Sequence, residues 1–122
     1  MSDDRDVEEF IRGFIPSIWA LELLLVLQHD PARVWAAPAL VKELRASAGL
    51  VDDNLSRFER HGLALKSDEG WRFQPGHPHL AEMVARLSGL YRARPMHVMS
   101  LITRADAISS LADAFRIRKD ET

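Results

Sequence analysis

Residues 37–75 read APALVKELRASAGLVDDNLSRFERHGLALKSDEGWRFQP, and their pattern changes twice. Leu40, Val41 and Leu44 mark one apolar helical face behind Pro38, a residue suited to the first turn of a helix. The segment Ser47-Ala48-Gly49 interrupts that face. Val51, Leu55 and Phe58 then lie on one side of a second helix over residues 50–61, and Gly62 suits its close. Beyond Gly62 the period becomes two. Leu63 and Leu65 are expected to face inward with Lys66 outward, then Trp71 and Phe73 inward with Arg72 outward, around a turn at Asp68-Glu69-Gly70. The order is therefore helix, tight break, helix, hairpin.

On the N-terminal side, Ser17 follows Pro16 as an N-cap and opens a helix over 18–29 that is apolar on nearly every face, as a helix buried on several sides must be. It is the expected central helix. Glu22 interrupts its apolar run, and a lone carboxylate there is costly unless paired. It is either half of a salt bridge or hydrogen bond to an Arg, a Trp indole or the backbone, or a ligand-linked or proton-linked switch. Asp30-Pro31 ends the helix, and Val34-Trp35 is long enough only for a stub of strand. Further upstream, Val7, Phe10, Ile11 and Phe14 fall at i, i+3, i+4 and i+7, an amphipathic arm that packs on its own domain or on a second subunit.

On the C-terminal side, the connector Pro75-Gly76-His77-Pro78 leads to a helix with Leu80, Met83, Val84, Leu87 and Leu90 on its apolar face. Pro95 restarts it. Asp106 is placed to cap a last helix bearing Ile108, Leu111, Ala112 and Phe115, ahead of an exposed tail at 116–120. Three regions are expected: an arm over 1–16, a core over 17–75, and packing or dimerising helices over 76–122.

Composition narrows the possibilities. The 122 residues carry 47% hydrophobic and 28% charged side chains, ordinary for one globular domain. With no cysteine, disulfide frameworks and thiolate sites are excluded. The apolar run at 18–27 is too short to span a bilayer, and no basic stretch opens the chain as a secretory leader would, so a cytoplasmic protein without membrane contact is expected. Net charge is -2, unevenly spread: residues 1–9 hold five acids and one base, leaving the remainder faintly basic.

The spacing Val51-x3-Leu55-x2-Phe58-x3-Gly62-Leu63, closed by Trp71-Arg72-Phe73, resembles winged helix-turn-helix regulators of the MarR and PadR type over residues 17–75. The resemblance implies an α-rich α+β fold, a winged helix-turn-helix with extra N- and C-terminal helices. It also implies that the second helix of the pair enters the DNA major groove, that the hairpin lies near the backbone, and that flanking helices form a homodimer. Carried over position by position, the reading surface comprises Asp52, Asp53, Ser56, Arg57 and Arg60. Arg57 and Arg60 suit phosphate or guanine, Ser56 suits a phosphate, and Lys66 and Arg72 on the wing suit phosphates.

Asp52, Asp53 and the wing tip Asp68-Glu69 depart from a basic reading face. Asp52 and Asp53 can instead complement the helix macrodipole near its start, and Asp53 can pair with Arg57 at i, i+4. The leading expectation is a small bacterial-type DNA-binding transcription regulator; the alternative is a winged-helix module that binds a protein.

Other constellations are weaker. His77-x-His79 with His97 offers too few ligands for a metal and more simply supplies helix caps. No nucleophile-base arrangement or phosphate-cradling glycine motif appears, so neither an enzyme nor a cofactor is expected.

Overall fold

The computed structural model describes residues 4–102; the expected last helix at Asp106 and the basic tail lie outside them. Seven elements are arranged in the order α1 (Asp4–Phe14), α2 (Ile18–His29), α3 (Ala37–Leu44), α4 (Ala48–Arg60), β1 (Ala64–Ser67), β2 (Gly70–Phe73) and α5 (Pro78–Ala93). Residues 95–102 begin a further helical stretch after Pro95.

Helix α2 is central because its sequence leaves it no polar face. Ala20, Leu21, Leu23, Leu24 and Leu27 are all buried, and α2 touches α3, α4, α5 and β2. Burying each of those leucines stabilises the fold by about 2 kcal/mol. The Ser17 Oγ accepts a hydrogen bond from the Ala20 N–H at 3.1 Å, satisfying one of the amides that an α-helix leaves unpaired at its start. Against this helix pack Leu40 from α3, Val51, Leu55 and Phe58 from α4, Leu63 and Trp71 from the hairpin, and Met83, Val84 and Leu87 from α5.

Helix α1 meets α2 through a bend of 108°, forced by the non-helical Ile15-Pro16-Ser17 link. Val7, Phe10 and Ile11 are buried, and α1 lies against α5. Phe10 and Phe14 stack with ring centres 4.7 Å apart, and Phe14 rests on His61 at 4.6 Å. Glu8 of α1 approaches His97, beyond Pro95, at 3.4 Å. No single described helix is long and apolar enough to cross a membrane; α1 and α2 reach that length only as the bent pair.

Between α3 and α4 the chain turns at Arg45, a non-glycine residue in the left-handed region at φ 56°. Ser47 then caps α4, its Oγ accepting from the Leu50 N–H at 3.1 Å. Helix α4 thus starts at Ala48, two residues earlier than its apolar spacing predicts, and no acid lies in its first turn. Asp52 and Asp53 stand one turn further in, beyond the reach of most of the macrodipole's field. The helix ends at Arg60 with His61 as its C-cap, and Gly62 follows at φ +75°, a conformation that suits glycine.

The hairpin pairs Ala64 with Phe73, Leu65 with Arg72, Lys66 with Trp71 and Ser67 with Gly70. The expected strand stub at Val34-Trp35 is a single bridge from Trp35 to Trp71. The expected inward position of Leu65 is not what the fold adopts: Leu65 is 43% exposed. The register explains it: Leu65 lies opposite Arg72 and so faces away from the side that carries the buried Trp71, although Trp71 stands nearer the tip, while the core covers the hairpin's base at Leu63 and Ala64.

Candidate nucleic-acid interface

Helix α4 turns its apolar side to the core, so its outward side follows from a rotation of about 100° per residue. Arg60 and Asp53 stand at the middle of that side, with Ser56 next to them. Asp52 and Glu59 flank them on the Ser56 edge, and Arg57 on the other. Asp52, Asp53, Ser56, Glu59 and Arg60 are exposed, and Arg57 is half-buried. Sequence reasoning missed Glu59, although its place on the helix wheel beside Asp52 marks it. It also missed Asn54, which is buried and donates its side-chain amide to the Leu50 carbonyl at 3.0 Å; a polar residue one step from Leu55 was its only signal.

The ion pair expected between Asp53 and Arg57 does not form. Among the described residues Arg57 has no carboxylate partner, and its Nε is buried without a hydrogen bond. The half-buried Arg57 and the exposed Arg60 lie close enough to His61 to act on its charge. Burial, then the positive charges of Arg57 and Arg60, push the His61 pKa down.

A groove of about 520 Å³ separates α4 from the wing. Asp52 and Ser56 line one wall, and Lys66, Asp68 and Glu69 the other. The start of α3 opens into it through Ala36 and Ala37. Ala36 is the N-cap of α3 and provides no side-chain hydrogen bond; Pro38 has no N–H, and the Ala39 and Leu40 N–H groups donate to the Ala36 carbonyl at 3.0 and 3.2 Å.

The register divides the two wing cations. Residues directly opposite in an antiparallel pair project on the same face. Lys66 therefore shares a face with Trp71, with its ammonium 5.6 Å from the indole centre, and borders the groove. Arg72 shares the opposite face with Leu65. The two are not the matched outward pair that simple alternation suggests. Among the described residues Asp68 and Glu69 make no ion pair, and both are exposed.

The wing is held firmly. Trp35 and Trp71 exchange two backbone hydrogen bonds of 2.7 Å. Ser67 Oγ donates to the Gly70 carbonyl at 3.2 Å. Gly70 adopts φ +144°, and a Cβ there would overlap the Trp35 carbonyl.

Away from this face, a cavity of about 560 Å³ lies between α2, the α2–α3 connection and α5. Glu22 stands in its wall and accepts a hydrogen bond from the Tyr91 hydroxyl at 3.0 Å. Glu22 is thus paired as its position required, through a phenol from α5 rather than an Arg or indole. Arg33 lies 3.5 Å over the Trp35 ring. His77 is the N-cap of α5, its Nδ1 accepting from the His79 N–H at 3.0 Å. Among the described residues no group of three or more His, Asp or Glu could hold a metal ion.

Helices α2–α4 followed by a two-stranded wing make this chain a winged helix-turn-helix protein, with added helices at both ends. Its structure is similar to that of MepR, a transcription regulator of the Staphylococcus aureus multidrug efflux pump MepA, with a TM-score of 0.56 and 11% identity over 98% of this chain and 90% of that one. A substituted form of MepR is similar at a TM-score of 0.53 and 10% identity, with the same coverage. The sequence matches no protein-family model and no curated protein.

Proposed function

We propose that the chain is a DNA-binding transcription regulator of bacterial type, acting in the cytoplasm as a homodimer and without catalytic activity. The observation that carries this reading is the placement of Arg60 at the middle of the exposed side of α4, with Ser56 exposed beside it, next to a wing pinned at Trp35–Trp71. In this reading Arg60 reaches base edges or phosphate in the major groove, Ser56 meets a phosphate, and Lys66 adds a cation across the groove. Arg57 acts from the flank, and Arg72 meets the backbone from the outer face of the wing. The helices after the wing, α5 and the stretch beyond Pro95, provide the dimer contact, with Met96, 75% exposed, as one apolar residue that a second subunit would cover.

Binding of random-sequence duplex at about 50 mM salt, repeated with Arg57→Ala plus Arg60→Ala, tests the reading. The expected result is measurable binding by the unsubstituted chain that weakens steeply with salt and is reduced in the double variant. No duplex binding by the unsubstituted chain would sink it.

A second reading is favoured by the carboxylates Asp52, Asp53, Glu59, Asp68 and Glu69, all exposed on and beside the same face. In that reading the winged helix binds a basic protein surface, and duplex DNA is not retained at low salt.

A further inference from the structure

We infer that the wing tip acts as an electrostatic brake on sequence-independent DNA binding, with Asp68 and Glu69 as the braking residues. The inference rests on the DNA-binding reading and concerns how that same face is regulated.

Three observations support it. Asp68 and Glu69 are exposed at the turn and make no ion pair among the described residues, so their charge is not neutralised locally. The wing cannot swing them aside: Trp35 and Trp71 clamp its second strand, Ser67 closes the turn, and Gly70 backs directly onto the Trp35 carbonyl. Nor can the wing cations screen them together, since Lys66 lies on the groove face near Trp71 and Arg72 on the opposite face.

A duplex seated on Ser56 and Arg60 brings its phosphates toward the groove wall formed by Lys66, Asp68 and Glu69. Two fixed negative charges near a phosphate oppose binding whatever the base sequence, because the backbone term of affinity carries no sequence information. Asp52 adds to the repulsion from the α4 side of the same groove. Retention on DNA must then come from favourable base contacts of α4. The brake thus lowers affinity for all sequences and makes occupancy depend on the contacts that discriminate among them.

The test compares the unsubstituted chain, the double variant Asp68→Lys plus Glu69→Lys, and the charge-matched control Asp6→Lys plus Glu9→Lys on exposed positions of α1. Each is titrated against random-sequence duplex by fluorescence anisotropy over a salt series, with circular dichroism to establish that all three are folded. The wing variant is expected to bind about tenfold or more tighter near 0.15 M salt, with its log–log salt slope steeper by about 1–2. The control, with the same change in net charge, should gain about threefold or less. If the unsubstituted chain binds duplex and the wing variant gains no more than the control, the brake is overturned and the DNA reading stands. If no form binds at about 50 mM salt, the DNA reading fails and the brake with it.

Discussion

Trp35 and Trp71 exchange a pair of 2.7 Å backbone hydrogen bonds, and this one bridge sets where the wing stands relative to the recognition helix. Gly70 makes the contact possible, because its missing Cβ leaves room for the Trp35 carbonyl and its φ of +144° is one that L side chains rarely adopt. Gly70→Ala combines steric overlap with backbone strain and is expected to cost about 2–4 kcal/mol. Denaturant unfolding should show a lower midpoint with an unchanged m-value.

The Tyr91–Glu22 hydrogen bond joins α5 to α2 across 3.0 Å. Tyr91→Phe should destabilise the fold by about 1 kcal/mol, the ordinary net worth of such a bond. Burial first, then the hydrogen bond to Glu22 and its charge, raise the Tyr91 pKa above the usual 10.0. A raised folded pKa favours the protonated phenol, so this contribution is complete below the unfolded value and is lost as pH rises through the folded one. The stability difference between the unsubstituted chain and the Tyr91→Phe variant should therefore shrink above about pH 10, measured as unfolding midpoints along an alkaline series.

His61 shows the opposite dependence. Its pKa lies below the ordinary 6.5, first through burial and then through Arg57 and Arg60. Phe14 covers its ring from α1. The neutral imidazole is the folded form, so its contribution is complete above the unfolded pKa and is lost as pH falls through the folded one. Between about pH 7 and 5, the unsubstituted chain should lose stability more steeply than His61→Gln. Parallel curves for the two would show that the burial of His61 has no energetic weight.

Opposite placement on the wing predicts unequal effects of its two cations. Lys66→Ala removes a charge at the groove beside Ser56 and should lower duplex affinity several-fold while reducing the salt slope by about 1. Arg72→Ala removes a charge from the far face and should change both less. Equal losses would mean that the duplex straddles the wing rather than lying in the groove.

The homodimer reading predicts a sedimentation mass of twice 13.8 kDa at micromolar concentration. Met96→Asp would place a charge on an apolar contact and should shift the equilibrium toward monomer by about tenfold or more. A monomer for the unsubstituted chain at that concentration counts against the dimer.

Most of the architecture is legible in the residues. The all-apolar run after Ser17 marks a central helix, Val51, Leu55 and Phe58 mark the inner face of α4, and Trp71 marks the hairpin's inner side. Each is a burial pattern written at the period of its own element. The start of α4 escapes that pattern because Ala48 and Gly49 carry no apolar signal, whereas the Ser47 cap decides the first turn through one hydroxyl. The earlier start removes the macrodipole as an account of Asp52 and Asp53.

The sequence by itself determined the order of helices and hairpin, the central place of α2, and the excess of acids around a face where the fold resemblance implies DNA. Tertiary structure alone decided which of those charges act together. It separated Lys66 from Arg72 through the strand register, left Arg57 without Asp53, paired Glu22 with Tyr91 from a helix 69 positions away, and left Leu65 in solvent. Hydrophobic periodicity is local and repeats within an element, so it can be read along the chain. The partner of a polar group and the face that a strand pair turns to the core depend on other elements brought close by folding, and no local pattern carries that information.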